Sequence, residues 1–223
     1  MKNKTFQIAI VATLLLFGIV TVFVVINNNN QSNEVAYEDQ PPIEGQPTMG
    51  NTDSPVQVVE FGDFKCPSCK AWGETIYPQL VSDYVDTDKI SFSYINVLFH
   101  GKESELASLA AESIFKNDPE SYWDFQKMLY DEQPEQNHDE QWITNEKILE
   151  VAEATTDVDL DQLEIELNEK TRTDELEKDT ELVKEYEVQF TPSIMVNGTM
   201  LEDPFDYETI KTLIEEELVE SEL

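Results

Sequence analysis

Cys66 and Cys69 are the only cysteines in the sequence, and two residues separate them at the junction of a predicted strand and a predicted helix. The preceding segment SPVQVVEF (54–61) is rich in β-branched apolar residues, which is typical of a strand. The following segment CPSCKAWGETIYPQLVSDYV has a helical pattern, and Pro67 falls in its first turn, where a missing N–H costs nothing. A second strand pattern, KISFSYINVLF, occupies 89–99. Strand, helix and strand together predict a βαβ unit with the cysteines at its first junction.

The pattern after this unit is helical from about 102 to 172, continues with one further acidic helix, RTDELEKDTELVKEYEV, and then returns to strands. TPSIMVNGTMLEDP predicts a β-hairpin with Asn197 and Gly198 at the turn. FDYETIKTLIEEELVESEL predicts a final amphipathic helix. We therefore expect the order β-α-β, a helical insertion, and then α-β-β-α, which is a small mixed α/β fold interrupted by helices. Within the first predicted helix, Pro78 should kink or break the chain.

The N-terminal segment predicts a membrane anchor. The chain carries no charge from Phe6 to Ile26, which is long enough for one membrane-spanning helix. The run lacks a small-x-small cleavage pattern, so a retained signal anchor is favoured over a cleaved signal peptide, which stays the alternative. The lysines before the span keep the N-terminus in the cytoplasm, so the rest of the chain is expected outside it, on a single-pass protein of the cell membrane. Residues 1–26 are thus the cytoplasmic tip and anchor, 27–48 a flexible linker, and 49–223 one folded domain.

The charge of the chain excludes one class of partner. Lys and Arg number 14 against 47 Asp and Glu, a formal net charge of −33. Nucleic acid is not an expected partner, because a phosphate backbone requires a basic patch. We interpret the acid excess as a solvated surface, with calcium binding as the alternative. The motif DVDLD (157–161) lacks the later Gly and Glu of a calcium loop, which makes helix capping the better interpretation.

The cysteine pair allows three kinds of site. A zinc site needs four ligands, yet there is no second C-x-x-C, and His100 and His138 lie far apart, so no metal is expected. A purely structural bridge is disfavoured, because closing so small a loop removes little entropy from the unfolded chain. A redox-active pair remains the favoured interpretation.

The redox interpretation gives the two cysteines different roles. Cys66 stands at the start of the helix, where unpaired N–H groups favour an anion, so we expect a lowered thiol pKa and attack at its sulfur. Cys69, one turn further on, is expected to be more buried. Pro67 stiffens the turn between them. Ser68 supplies only a weak hydrogen-bond donor, with less effect on the redox potential than a histidine would have.

The segments VVEFGDFKCPSCK and FTPSIMVNG resemble the DsbA-like branch of the thioredoxin superfamily, especially the membrane-anchored forms of Gram-positive bacteria. A lone C-x-x-C is only moderately specific. A C-x-x-C at a βα junction, followed by a helical insertion and by Thr-Pro before an Asn-Gly hairpin, is much more specific. The resemblance covers about 49–223 and implies a thioredoxin fold with an inserted helical domain. The expected fold class is therefore α/β of this type, preceded by one N-terminal transmembrane helix.

The resemblance implies three further site residues. Pro192 matches the cis-proline beside the cysteines, although the residues alone would favour a trans proline that opens an edge strand. Thr191 would offer its backbone to an extended substrate. Glu60 matches a buried acid beneath Cys69 that exchanges a proton with it. For Glu60, an outward-facing strand position remains the alternative.

The expected function is extracytoplasmic oxidation of exported protein thiols to disulfides by the Cys66–Cys69 pair. The resemblance implies a quinone-linked membrane partner that reoxidises the pair, and the enzyme itself needs no cofactor. The Pro-Ser dipeptide differs from the Pro-His of the strongly oxidising periplasmic member, which leaves the direction of electron flow open. The alternatives are a reductase or isomerase fed by a membrane electron donor, and a non-catalytic, chaperone-like binding module.

Overall fold

The computed structural model describes residues 34–221. The predicted anchor at 1–26 and the start of the predicted linker lie outside this range. The account below concerns the compact unit Val35–Leu223. Within the described range, no helix has both the length and the apolar character needed to cross a membrane.

One sheet holds the described strands together, and β3 lies near its middle. The strands follow the order β1-β6-β5-β3-β4-β2, with β3 and β4 parallel and all other neighbours antiparallel. Every residue of β3 is buried, as expected for a strand that is covered on both faces. The predicted βαβ unit and the hairpin with Asn197 at its turn are both confirmed. The strand bounds are β1 Val35–Ala36, β2 Thr48–Gly50, β3 Gln57–Gly62, β4 Ser91–Asn96, β5 Ser193–Val196 and β6 Thr199–Met200.

The first helix carries the cysteine pair and is interrupted as the sequence predicts. It starts directly after Cys66, and a second short helix begins at Tyr77 with Pro78 in its first turn. Because Pro78 has no N–H, it cannot continue the hydrogen-bond ladder of the helix before it. The helix bounds are α1 Pro67–Thr75, α2 Tyr77–Leu80, α3 Lys102–Asn117, α4 Tyr122–Asp131, α5 Asn145–Thr155, α6 Leu160–Glu169, α7 Thr173–Glu185 and α8 Tyr207–Ser221, with a π-helical turn at Val81–Val85 and a 3₁₀ turn at Pro119–Ser121.

The inserted helices α3 to α7 pack around their own apolar cluster, which also includes both cysteines. A buried polar contact ties these helices to the sheet. The side-chain amide nitrogen of Asn96, the last residue of β4, donates to Glu112 on α3 and to Asp179 on α7, at 2.8 Å each. The insertion is thereby fixed to the sheet edge at which β3 and β4 end.

The DVDLD motif caps a helix. The Asp159 side chain accepts a hydrogen bond from the backbone N–H of Gln162 at 3.0 Å, at the start of α6. The capping interpretation is therefore confirmed for Asp159. Between residues 34 and 221, no group of three or more His, Cys, Asp or Glu side chains could hold a metal ion.

Part of the predicted linker is ordered, which corrects that prediction. Val35–Ala36 pairs with β6, and Thr48–Gly50 pairs with β4, so this segment extends the sheet at both edges. Between these strands, Pro41 is buried and its carbonyl accepts a hydrogen bond from the Gln57 side chain at 2.8 Å. Edge pairing uses main-chain groups that any sequence carries, so a polar stretch without apolar periodicity gives no sign of it.

Candidate active site

Cys66 lies at the end of a turn that connects β3 to α1. Its backbone N–H donates to the carbonyl of Asp63 at 2.9 Å, and the residue itself is the N-cap of α1. Cys66 retains 7% exposure, whereas Cys69 is fully buried. Both thiols are free. The expectation that Cys66 is the more accessible of the two agrees with this geometry, although little of its surface reaches solvent.

The surroundings of Cys66 favour its thiolate. A hydrogen bond from the Cys69 thiol is the largest cause, and it lowers the pKa of Cys66 from 9.0 to about 5 against the opposing effect of burial. The Thr191 side chain and the backbone N–H groups of Cys69 and Ser68 add to the effect. The two backbone donors belong to the first turn of α1, where helical N–H groups lack internal partners.

Cys69 has the opposite environment. Burial is the largest of several effects that raise its pKa well above 9.0, and the shared hydrogen bond with Cys66 and the nearby carboxyl of Glu60 act in the same direction. One contact opposes them, because the backbone N–H of Asp63 donates to the Cys69 sulfur at 3.4 Å. The pair therefore combines one stabilised thiolate with one thiol that resists ionisation.

Glu60 lies in the middle of β3, opposite Tyr94 on β4 and Ile194 on β5. It is only 4% exposed, so the alternative of an outward-facing strand residue is wrong. Burial raises the pKa of its carboxyl to about 8, with a further contribution from Cys66. One carboxyl oxygen has no hydrogen-bond partner within the described part of the chain.

Glu60 also faces a cavity of about 490 Å³ between α1 and α4. Cys69, Gly73 and Tyr77 line one side of it, and Gln126 lines the other. The cavity brings solvent space next to Glu60 and Cys69, although almost none of the surface of either residue is exposed.

The Thr191–Pro192 peptide bond is cis, as the resemblance implied, and the trans alternative is wrong. The Cys66 thiol donates to the carbonyl of Thr191 at 3.3 Å, although 125 positions separate the two residues. Pro67 and Ser68 are exposed beside this contact, and Phe190 is exposed next to Thr191. Apart from Glu60, which lies in the middle of β3, the predicted site residues therefore gather where β3 ends and β5 begins.

Sequence reasoning missed several polar side chains around the cysteine turn. The Gln133 amide donates to the carbonyl of Phe64 at 2.8 Å, and the buried Lys65 ammonium contacts Glu103 on α3. Asp63 is fully buried at the end of β3. A polar residue next to a strand of apolar residues was the only signal for Asp63, and its partners are too distant in sequence to be identified by spacing.

Comparison with known proteins gives a consistent result. The thioredoxin family model matches residues 43–216. Disulfide bond formation protein D of Bacillus subtilis is 41% identical over 192 residues, 86% of each chain. Probable disulfide bond formation protein D of Bacillus anthracis is 35% identical over 222 residues, 97% of this chain and 98% of the relative. The crystal structure of oxidised BdbD from Bacillus subtilis has a TM-score of 0.79 at 42% identity, covering 82% of this chain and 98% of that one. Chlamydia trachomatis DsbA shares the fold, with a TM-score of 0.69 at 20% identity over 77% of this chain and 90% of that one.

Proposed function

We propose that this chain, which belongs to the thioredoxin family and is a disulfide-forming thiol–disulfide oxidoreductase, oxidises the thiols of exported proteins outside the cytoplasm. The observation that carries the oxidising direction is the pKa of Cys66, which is lowered to about 5. The stabilised thiolate exists only in the reduced form of the pair. Stabilising the reduced form makes the disulfide a stronger oxidant.

The first step is attack on the sulfur that remains accessible. A client thiolate attacks Cys66 Sγ, the Cys66–Cys69 bond breaks, and its electron pair moves to Cys69 Sγ. Because burial raises the pKa of Cys69, the new thiolate requires a proton. Glu60, with a pKa of about 8, carries that proton at neutral pH and lies close enough to Cys69 to raise its pKa.

The second step releases the oxidised client. A second client thiolate attacks the client sulfur of the mixed disulfide, and Cys66 leaves as a thiolate. A thiol of low pKa is a good leaving group, so the same hydrogen bonds that stabilise Cys66 favour this step. The client has then lost two electrons and gained a disulfide, and the enzyme holds the reduced pair.

Thr191 binds the client segment in this proposal. Its carbonyl lies 3.3 Å from Cys66 Sγ, and Thr191 is partly exposed. An extended client backbone that pairs with this residue in the manner of an added strand would bring its cysteine to the attacked sulfur. Pro192, directly after it, immediately precedes β5, which begins at Ser193.

The cellular setting is also a proposal, and the sequence supports it. The uncharged run from Phe6 to Ile26 would anchor the chain in the cell membrane with the domain outside. A quinone-linked membrane partner would accept the two electrons and restore the Cys66–Cys69 disulfide. Membrane fractionation with external protease tests the location, since an outward domain is digested in intact cells and a cytoplasmic one is protected.

The reduction potential of the Cys66–Cys69 pair is the decisive measurement for direction. We expect equilibration with glutathione to give a value nearer about −120 mV, the value of a strong oxidant, than about −270 mV, the value of thioredoxin. A potential close to that of thioredoxin would favour the reductase alternative. Full activity in a Cys66→Ala variant would instead favour the non-catalytic binding module.

A further inference from the structure

The carboxylate of Asp63 holds together two loops that leave the same edge of the sheet. It has no exposed surface and accepts four hydrogen bonds. The backbone N–H of Lys65 donates to one oxygen at 2.9 Å. The other oxygen accepts from the backbone N–H of His100 at 3.2 Å, from His100 Nδ1 at 2.8 Å and from Ser104 Oγ at 2.9 Å. One side chain thus joins the cysteine turn to the loop after β4 and to the first turn of α3.

The main chain of the same residue contacts both cysteines. Its carbonyl accepts from the Cys66 N–H at 2.9 Å, and its N–H donates to Cys69 Sγ at 3.4 Å. The bond between the Asp63 carboxylate and the Lys65 N–H closes an Asx turn around the same peptide groups. The position of the Asp63 N–H therefore depends on where its own carboxylate is held.

The sheet itself gives this turn little support. β3 ends at Gly62 and β4 ends at Asn96, and among the described backbone bonds a single one, from the Val97 N–H to the Gly62 carbonyl at 2.7 Å, continues the pairing beyond them. Past that point, the described contacts between the two loops include the Asp63 bonds to His100. His100, whose ring is 38% exposed, is thus one end of a buried contact rather than an isolated surface residue.

We propose that Asp63 is a positioning residue that makes the cysteine pair more oxidising by holding its N–H against the Cys69 sulfur. The inference rests on the proposed function. When a client thiolate forms a bond to Cys66 Sγ, the Cys66–Cys69 bond breaks and the electron pair goes to Cys69 Sγ. The Asp63 N–H stabilises that charge as it develops, until Cys69 takes up a proton. In the reduced pair the Cys69 thiol donates to the Cys66 thiolate, and this polarisation makes its sulfur a better acceptor than a disulfide sulfur, so the Asp63 contact favours the reduced pair.

The test is the equilibrium of the full chain with glutathione. Loss of one hydrogen bond to sulfur corresponds to about a 3- to 10-fold change in an equilibrium constant. We expect Asp63→Ala to shift the equilibrium constant of the cysteine pair with glutathione by this factor toward the disulfide. The variant should also oxidise a thiol peptide more slowly, through a lower kcat rather than a higher KM. Asp63→Asn should restore part of both effects, because its amide oxygen can still accept from the Lys65 N–H.

Asp179→Asn is the matched control. Asp179 is a buried aspartate, 1% exposed, that also accepts bonds from several groups, and none of its described hydrogen bonds involves a cysteine. We expect it to lower the thermal unfolding temperature and leave the glutathione constant unchanged. If Asp63→Ala likewise lowers only the unfolding temperature, Asp63 is merely structural and the proposal is overturned.

Two single variants keep the test valid if Asp63→Ala does not fold, and they complete a double-mutant cycle with Asp63→Ala if it does fold. His100→Ala and Ser104→Ala each remove one of the four bonds and should each shift the constant toward the disulfide by about 2-fold. Where Asp63→Ala folds, adding His100→Ala should change nothing further, because the partner is already gone. Additive shifts, or constants equal to wild type in both single variants, would overturn the proposal. The reduction potential of the wild-type cysteine pair tests the proposed function separately. The proposed function and the positioning role of Asp63 can therefore fail independently.

Discussion

The two sulfur atoms of the pair lie one helical turn apart, yet their surroundings differ in nearly every respect. Cys66 keeps some exposure and receives hydrogen bonds that lower its pKa to about 5. Cys69 is fully buried beside the carboxyl of Glu60, and its pKa is raised. The comparison teaches that burial and hydrogen bonding at each sulfur, more than the two residues between them, divide the pair into an attacked sulfur and a resolving one.

Removing the attacked sulfur should have the largest effect. Cys66→Ser should reduce the oxidation of a dithiol peptide to the uncatalysed rate, because no accessible sulfur remains for a client thiolate to attack. Fluorescence of a reporter peptide with two thiols measures this. Cys69→Ser is the comparison variant, since it loses turnover but should keep a reactive thiol. Measurable turnover in Cys66→Ser would contradict the assignment of the attacked sulfur.

Removing the resolving sulfur should give a different defect. Cys69→Ala should accumulate mixed disulfides between Cys66 and client proteins, because the internal thiol that would displace the client is gone. It should also raise the pKa of Cys66 from about 5 toward 9.0, since the bond from Cys69 is the largest cause of the lowering. Thiolate absorbance near 240 nm against pH measures the shift. A midpoint that stays near 5 would show that the helix N-terminus alone is sufficient.

Changing the buried acid should have an intermediate effect on rate. Glu60→Gln removes the proton donor beside Cys69 and should slow client oxidation by about 100-fold at neutral pH. Glu112→Gln is the control, because Glu112 is equally buried with a pKa raised to about 8, but its bond goes to Asn96. Equal rates in wild type and Glu60→Gln would exclude proton transfer through Glu60.

The same substitution should change the pH dependence of stability. The carboxyl of Glu60 has a pKa near 4.5 when unfolded and about 8 when folded. Between these values the unfolded state has lost a proton that the folded state keeps, so the free energy of unfolding falls as pH rises. This loss, of the order of 5 kcal/mol by pH 8, should disappear in Glu60→Gln. Urea unfolding of the reduced protein at pH 5 and pH 9 measures this loss. An equal fall in the free energy of unfolding between these two pH values in wild type and in Glu60→Gln would contradict the raised pKa.

Ser68, one of the two residues between the cysteines, should matter least. Ser68 is exposed, and only its backbone N–H contributes to the lowered pKa of Cys66. Ser68→His adds a partial positive charge near the thiolate and should lower the pKa of Cys66 by less than about 1 unit. The glutathione equilibrium should move toward the reduced form by a few-fold. A shift larger than that of Cys69→Ala would reverse the comparison drawn above.

Local patterns were sufficient to predict the fold class and the cysteine pair. The strand before Cys66, the helix after it and the Asn-Gly hairpin each have signals within a dozen residues, so the order of elements could be predicted. Glu60 was harder, because β3 is buried on both faces and such a strand shows no alternation to indicate where a side chain points. The short edge strands at Val35–Ala36 and Thr48–Gly50 had no side-chain signal at all.

By itself, the sequence determined that two cysteines begin a helix at the end of a strand, and therefore that one of them meets unpaired N–H groups. Only the tertiary structure decided what else each sulfur meets. The Thr191 carbonyl lies 125 positions from Cys66, and His100 and Ser104, which bind the Asp63 carboxylate, lie 37 and 41 positions from it. Burial and hydrogen bonding across such separations arise when the sheet edge is assembled, and they are what distinguish the two thiols.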